Sequence, residues 1–234
     1  MYLDQDISYV INKLKYNNYK CFIVGGYIRN YLINQDSDDY DLATNATPND
    51  IIRIFKLETL ITQYQKYGHI RIIINNKEIQ ITTLRIEESY MRNKVKIEYT
   101  NSQELDSIRR DFTINAMYYD IKGIIYDYHD GLNDLKNHKL NTIIEPNSSF
   151  KKDPIRIIRA IRFISEYNFI VNETLKLAII NNSHLLMKMS IKYLDKEINK
   201  ILNSKYYKEL DKEYLLIIER VLKKGNKNNE KNWF

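Results

Sequence analysis

The sequence predicts an α/β domain followed by an all-helical domain. In residues 20–128, short runs of β-branched residues alternate with helical patterns and turn residues, which is typical of a sheet flanked by helices. From Pro154 onward, apolar residues recur at helical spacing alone. The chain has 234 residues, enough for one large domain or two small ones. We expect an α/β head at 1–145, a helical neck at 146–224 and a flexible tail at 225–234.

The head is predicted to alternate helices and strands from its first residue. The expected elements are a helix at 1–16, a strand at 20–24, a helix to about residue 34, a strand at 39–43, a helix that Thr47 caps and Pro48 opens, and a hairpin of 68–75 with 78–85. Residues 86–108 are polar and predict a mobile loop, followed by a helix at 112–119 and a strand at 123–128. The neck is expected to contain helices at 154–167, 172–187, 189–203 and 206–223.

The composition indicates a soluble protein of a reducing compartment. No apolar run approaches the roughly 20 residues that span a membrane. The N-terminal residues are acidic and lack a signal-peptide pattern. The single cysteine, Cys21, excludes an internal disulfide. We therefore expect a cytoplasmic protein without a membrane partner, and the sequence leaves its oligomeric state open.

The charge is concentrated in the C-terminal third. Residues 1–150 carry 18 basic and 20 acidic side chains, whereas residues 151–234 carry 18 and 10. A basic helical domain beside a nearly neutral one favours a polyanionic partner. The alternative is a lysine-rich surface that serves solubility.

The first group of residues suited to chemistry is a glycine pair followed by an Asp-x-Asp motif. Gly25 and Gly26 follow a buried strand, where backbone amides can approach a phosphate closely. Arg29, one helical turn later, can donate to the same phosphate. Asp39 and Asp41, two residues apart on a strand, share a face and can bind hard cations such as Mg²⁺. Two such ions would activate a hydroxyl and stabilise a leaving pyrophosphate; the alternative is a turn with solvated acids.

A second group lies at residues 109–115, ahead of a predicted helix. Arg109, Arg110 and Asp111 can clamp a triphosphate and hydrogen-bond a ribose. Taken alone, however, the segment favours a capped helix start with salt-bridged arginines.

The third group opens the helical domain. Arg156, Arg159 and Arg162 recur every three residues and form one stripe along a helix that begins at Pro154. Asp153 offers acceptors and Arg156 offers donors, so this pair can read the hydrogen-bonding edge of a base. The alternative is a surface helix with solvated arginines, but the use of Arg in a chain that otherwise prefers Lys favours the functional interpretation.

In this order, the three groups resemble the motifs of class II tRNA nucleotidyltransferases and bacterial poly(A) polymerases. The opening motif Gly-Gly-x-Val-Arg-Asp appears at 25–30 as Gly-Gly-Tyr-Ile-Arg-Asn. Asp-x-Asp with the following Ala-Thr and Thr-Pro appears at 39–48, and Thr-Thr-x-Arg at 82–85. Arg-Arg-Asp-Phe-Thr-Ile-Asn-Ala is intact at 109–116, and Asp-Pro-x-Arg-x-x-Arg-Ala-x-Arg-Phe at 153–163. The resemblance covers about residues 20–170.

The resemblance implies a polymerase-β-like nucleotidyltransferase head with two Mg²⁺ ions on Asp39 and Asp41. ATP and CTP would be the substrates, and Asp153 with Arg156 would select between them without a template. The nucleotide-binding residues it implies are Gly25, Gly26, Arg29, Arg110, Asp111, Asn115, Asp153, Arg156, Arg159 and Arg162. The expected partner is RNA, in particular the tRNA 3′ end, bound along the basic C-terminal helices.

Several positions depart from the family pattern. The Arg-Asp of the first motif is Arg29-Asn30, and the acid usual before Thr-Thr-x-Arg is Gln80, although Glu78 lies on the same strand face. A Gly-Gly pair becomes Asp130-Gly131, and the Glu-Asp before the base-reading helix becomes Lys152-Asp153. The chain ends soon after the helical neck, so the body and tail domains that grip tRNA are expected to be largely missing.

The leading hypothesis is therefore the addition of CCA to tRNA. Poly(A) addition, or addition of C or A alone, is the same chemistry with a different product. A non-catalytic nucleotide- or RNA-binding relative is a third hypothesis, against which the intact Asp39 and Asp41 argue.

Overall fold

The computed structural model describes residues 4–36, 40–90 and 94–230. The chain forms two compact units, Met1–Leu132 and Asn133–Phe234. The domain boundaries expected at residues 145 and 224 remain predictions. Within the described ranges, no helix is both long enough and apolar enough to cross a membrane.

The first unit contains a mixed sheet with helices, and the second is helical. The strands are β1 (Cys21–Val24), β2 (Asp41–Thr44), β3 (Thr59–Ile61), β4 (His69–Ile74), β5 (Lys77–Thr83), β6 (Arg85–Tyr90), β7 (Lys94–Tyr99), β8 (Tyr118–Tyr119) and β9 (Ile125–Tyr126). The helices are α1 (Gln5–Tyr16), α2 (Gly26–Leu32), α3 (Pro48–Ile54), α4 (Gln103–Ser107), α5 (Gly131–Lys136), α6 (Pro146–Lys152), α7 (Ile155–Tyr167), α8 (Glu173–Asn182), α9 (Ile191–Leu202) and α10 (Lys212–Glu230). This architecture confirms the predicted fold class.

In the described part of the chain, seven strands form one sheet in the order β3-β4-β5-β2-β1-β8-β9. Strand β2 pairs with β5 in parallel and with β1 in antiparallel fashion. It lies in the middle of the sheet, and its residues 42–44 are buried. This placement fixes its first residue, Asp41, between Val24 of β1 and Gln80 of β5.

Local sequence signals account for several of these elements. Thr47 and Asp50 form a reciprocal capping box at the start of α3, and Pro48 occupies the first turn, as predicted. The predicted hairpin is confirmed as β4–β5. Asn75 and Asn76 both have positive φ, at 48° and 64°, which suits a tight two-residue turn between twisted strands.

Two predictions for the head differ from the structure. Residues 86–108, expected to be a polar segment with a mobile loop, contain the paired strands β6 and β7 and helix α4, whereas residues 91–93 lie outside the described residues. The alternation of Val95, Ile97 and Tyr99 with charged residues is typical of a strand, but the polar composition concealed it. Residues 112–119, expected to be a helix, form a 3-10 turn at Thr113–Asn115 and strand β8. Pairing of β8 with β1 overrides the local helical pattern.

The helical unit begins earlier than the pattern indicated. Helix α6 precedes the predicted helix, and Glu145 caps it by accepting hydrogen bonds from the backbone N–H groups of Asn147 (2.9 Å) and Ser148 (2.7 Å). These N–H groups lower the pKa of Glu145 to about 2. Helix α10 continues to Glu230, past the predicted boundary at residue 224.

Candidate functional site

Asp41 is the first residue of the central strand β2 and lies opposite Val24, the last residue of β1. It is half-buried, and the amide Nε2 of Gln80 donates to its Oδ1 at 3.0 Å. The parallel register sets Gln80, rather than Glu78, opposite Asp41. Glu78 instead pairs with Arg71 at 2.9 Å across β4–β5. The described neighbour of Asp41 on β5 is therefore the amide of Gln80 and not the carboxylate of Glu78.

Asp39 lies outside the described residues. Strand β2 begins at Asp41 in the described part of the chain, so the shared strand face of Asp39 and Asp41 remains a prediction.

The glycine pair forms the turn between β1 and α2. Gly25 has φ of 73° and ψ of −140°, a conformation that residues with a Cβ atom rarely adopt. A Cβ atom on Gly25 would lie 3.6 Å from Oδ2 of Asp41, so the turn backbone runs directly beside the carboxylate. A Cβ atom on Gly26 would lie 3.3 Å from Nη2 of Arg29. The turn thus brings Asp41, the half-buried glycine backbone and Arg29 together.

Arg29 is buried and held by two amides. Its Nη1 donates to Oδ1 of Asn115 at 2.5 Å, and its Nε and Nη2 donate to Oδ1 of Asn30 at 3.1 and 2.9 Å. Asn30, which replaces the acid of the family pattern, thus keeps a contact with the guanidinium. Asn115 in turn donates through Nδ2 to Oδ1 of Asp111 at 3.1 Å. The structure therefore joins the first and second predicted groups, which are far apart in sequence.

Arg109 and Arg110 both contact the carboxylate of Asp106, a residue that was not among the predicted site residues. Asp106 is fully buried and accepts from Nε of Arg109 (2.9 Å), Nη2 of Arg110 (3.2 Å) and the hydroxyl of Tyr118 (2.6 Å). The backbone N–H of Arg85 donates to the same carboxylate at 2.9 Å. The salt-bridged arginines of the alternative interpretation are confirmed, but a 3-10 turn at Thr113–Asn115 takes the place of the expected capped helix. The spacing of Asp106 three and four residues before the arginines was the available signal.

Burial alone would raise the pKa of Asp106. The guanidinium groups of Arg109 and Arg110 and the hydrogen bond from Tyr118 outweigh it, so the pKa lies below its usual value. The carboxylate is therefore ionised at neutral pH and balances two arginines inside the head.

Gly131 shows why one glycine of the family's Gly-Gly pair is kept. A Cβ atom there would lie 2.4 Å from the backbone oxygen of Thr113, a distance that no side chain tolerates. Asp130, which replaces the other glycine, adopts a positive φ of 60°. Aspartate is among the residues that tolerate this conformation.

Two of the three predicted arginines at the start of the helical unit are buried. Arg156 is 5% exposed and Arg162 is 8% exposed, so the alternative of a solvated stripe is wrong for both. Arg156 donates through Nη1 to Oγ of Ser149 at 2.8 Å, and its Nε lies 3.8 Å from Oδ2 of Asp153. The predicted base-reading pair is therefore adjacent, and the side chain of Asp153 remains 47% exposed.

Arg162 and Arg159 occupy different surroundings further along α7. Nε of Arg162 lies 2.9 Å from Oε2 of Glu197 on α9, and its guanidinium lies 4.4 Å from the ring centre of Phe163. Arg159 is half-buried, 5.8 Å from the same ring. Arg162 thus ties α7 to α9 as well as being a predicted nucleotide contact.

The described carboxylate of Asp41 is the type of oxygen ligand that Mg²⁺ prefers, but the described residues do not form a complete coordination shell. Among the described residues, no cluster of three or more His, Cys, Asp or Glu side chains gathers in one place. Mg²⁺ commonly takes one or two carboxylates and completes its shell with water and substrate phosphates. Asp41 beside an open glycine turn fits that requirement, with Asp39 as the predicted second ligand.

We expect Gly25→Ala to destabilise the chain by about 1–3 kcal/mol, because alanine would be forced into a glycine conformation. Urea denaturation monitored by circular dichroism measures the loss. Gly225→Ala is the matched control, since Gly225 lies in α10 and a Cβ atom there would make only ordinary contacts, 3.9 Å from Asp195 and from Ile191. The control should be neutral or slightly stabilising. Equal effects of the two substitutions would contradict the strain at Gly25.

Residues 21–141 match the family model described as Poly A polymerase head domain. Among curated relatives, the chain is 36% identical over 208 residues to the CCA-adding enzyme of Ligilactobacillus salivarius, covering 88% of this chain and 51% of that protein. It is 34% identical over 194 residues to the CCA-adding enzyme of Lactobacillus johnsonii, covering 82% and 48%. The chain spans about half the length of the curated relatives it matches.

The fold is similar to solved structures of the same group. The crystal structure of the Bacillus stearothermophilus CCA-adding enzyme in complex with CTP superimposes with a TM-score of 0.78. It is 30% identical in sequence, and the match covers 86% of this chain and 49% of that one. The predicted resemblance is confirmed, and the head has the fold of this group.

Proposed function

This chain belongs to the Poly A polymerase head domain family, and we propose that it adds nucleotides to an RNA 3′ end. The proposed reaction is the addition of CCA to tRNA from CTP and ATP. The observation that carries the proposal is the junction at the end of β1. There the carboxylate of Asp41, the glycine turn and the Arg29–Asn115 pair meet within the segment that matches the family. The CCA-adding relatives support the choice of product.

In the proposed reaction, the oxygen of the RNA 3′-hydroxyl attacks the α-phosphorus of the bound nucleotide. A new P–O bond forms, the bond to the bridging oxygen of the β-phosphate breaks, and pyrophosphate leaves. The hydroxyl proton passes to water. Mg²⁺ held by Asp39 and Asp41 would supply Lewis-acid stabilisation of the charge that develops on these oxygens.

The residues of the head would bind and orient the triphosphate. Gly25 and Gly26 carry no side chains of their own, so their backbone amides can approach phosphate oxygens, with the Arg29 guanidinium 3.3 Å from the Cβ position of Gly26. Arg29 presents a guanidinium that Asn30 and Asn115 hold in one orientation, which reduces the entropy lost on binding. The remaining proposed contacts in the head are Arg110, Asp111 and Asn115.

Base selection is assigned to the start of α7. The Asp153 carboxylate offers acceptors and the Arg156 guanidinium offers donors, so together they match the edges of cytosine and adenine. Ser149 also contacts Arg156 and limits its freedom. Arg159 and Arg162 are the further proposed nucleotide contacts of this helix.

The proposed partner is tRNA, bound along the basic helices that follow residue 150, and the proposed location is the cytoplasm. Poly(A) addition is the second candidate, because the matching family is described by that activity. Both candidates use the same head and differ in the product.

The test supplies the purified protein and Mg²⁺ with tRNA lacking its last three nucleotides. CTP alone should add two nucleotides, ATP alone should add none, and both together should add three. A long ladder with ATP would establish the poly(A) alternative instead. If nucleotide bound but no pyrophosphate appeared with any RNA, the chain would be a binding relative and the proposed reaction would be wrong.

We expect Arg156→Ala to reduce the preference for the correct nucleotide at each step by at least about tenfold, the value of one lost charged hydrogen bond. The reason is that the substitution removes the donors that are proposed to read the base. Misincorporation is measured by sequencing the RNA products. Lys151→Ala on the neighbouring helix α6 is the control, since Lys151 is exposed. Unchanged selectivity in Arg156→Ala, with Mg²⁺ dependence altered, would contradict this role.

A further inference from the structure

A cavity lies in the head at the end of β1 opposite the glycine turn. It measures about 390 Å³, and its walls include Lys20 just before β1, Phe22 of β1, Lys15 of α1 and residues of the β8–β9 hairpin. Strand β1 rises about 3.3 Å per residue, so Cys21 and Val24 lie about 10 Å apart. The cavity is therefore separate from the junction around Asp41.

Three ammonium groups surround this cavity. Lys15, Lys20 and Lys122 are all exposed, and none forms an ion pair across the ranges that the structure describes. Among the described residues that line the wall, the one carboxylate is Asp120, which is engaged in the β8–β9 turn. It accepts from the backbone N–H groups of Lys122 (2.8 Å) and Ile124 (3.0 Å). The cavity mouth thus carries an excess of positive charge that suits an anion.

One wall of the same cavity is aromatic. Phe22 and Tyr126 pack edge to face with ring centres 5.8 Å apart. Tyr128 lines the cavity and remains 38% exposed. Phe22 is buried and supports the half-buried Tyr126, so Tyr128 is the exposed ring of this wall. Aromatic rings beside cationic side chains are the arrangement on which single-stranded nucleotides stack.

We propose that this cavity binds a nucleotide, with its phosphate at Lys20 and Lys122 and its base against Tyr126 and Tyr128. The volume falls within the range of about 300–1,000 Å³ that is typical of small-molecule sites. The nucleotide is either a free nucleoside monophosphate or one unit of a single-stranded RNA. Nucleotide binding in this cavity does not depend on the transfer reaction proposed above. A result that contradicts one of the two proposals therefore does not contradict the other.

Photocrosslinking distinguishes the two sources. The full chain is irradiated in EDTA with 4-thiouridine 5′-monophosphate, or with a hexanucleotide RNA that contains one 4-thiouridine and a 3′-deoxy end. Crosslinked peptides are mapped by mass spectrometry. Crosslinks at Tyr126 or Tyr128 with both probes identify a site for free nucleotides, and crosslinks with the RNA alone identify an RNA site.

Substitution of the lysines tests the electrostatic part. The double variant Lys20→Ala, Lys122→Ala should raise the Kd of the crosslinking probe at least about tenfold. Lys122→Glu is a second variant in an exposed turn, and it should act in the same direction. Lys56→Ala, an exposed lysine outside the cavity, should leave the Kd unchanged. Crosslinks elsewhere, or crosslinks at the tyrosines that the lysine variants do not weaken, would overturn the proposal.

Discussion

Asp41→Asn is expected to lower the rate of nucleotide addition by about 10³-fold, since loss of metal stabilisation costs several kcal/mol and each 1.4 kcal/mol is tenfold. Asparagine keeps the size of the side chain and a partner for Gln80, so the fold should survive. The substitution removes the negatively charged oxygen ligand beside the glycine turn. Single-turnover release of pyrophosphate at saturating nucleotide measures the effect, and thermal unfolding checks the fold.

Glu78→Gln is the matched control for this loss. It also removes one carboxylate from the face of β5, but Glu78 pairs with Arg71 rather than with Asp41. We expect the rate to change less than about threefold, in keeping with an exposed ion pair of small energetic value. A large loss in Glu78→Gln would show that Glu78 takes the place of the acid absent at Gln80. Full activity in Asp41→Asn would overturn the site itself.

The part of the site that could be predicted from the sequence depends on short-range rules. A strand ending in two glycines requires a turn, and Gly25 indeed adopts a positive φ there. The capping box at Thr47 and the Asn75–Asn76 turn follow from the same kind of local preference. These signals act within a few residues, so no tertiary information is needed to recognise them.

The part that could not be predicted depends on contacts between distant residues. Arg29 is oriented by Asn115, and the sequence alone does not show that the two meet. Strand β8 likewise takes its conformation from pairing with β1, and its own pattern suggested a helix. The burial of Arg156 and Arg162 could not be predicted for the same reason. A stripe of arginines along a helix predicts exposed side chains, and their burial depends on contacts with other parts of the chain.

The loss of Asp106 should destabilise the fold strongly, because Asp106 is fully buried and paired with two arginines. Asp106→Ala leaves the nearly buried guanidinium groups of Arg109 and Arg110 without their shared carboxylate, and Tyr118 without its acceptor. Removing one partner from a buried ion pair costs about 3–5 kcal/mol. Urea denaturation at pH 7 measures the loss. Glu104→Gln on the same helix is the control, and because Glu104 is exposed it should change the stability by less than about 0.5 kcal/mol.

The pH dependence separates the charge of Asp106 from its packing. Its pKa in the folded state lies below the unfolded value of about 3.9, so its ionic contribution is complete above about pH 5. It is lost as the pH falls through the folded-state pKa. The stability difference between the wild type and Asp106→Ala should therefore be constant from pH 7 to about 5 and shrink at lower pH. A difference that stayed the same down to the acid transition would mean that Asp106 contributes through shape and not through charge.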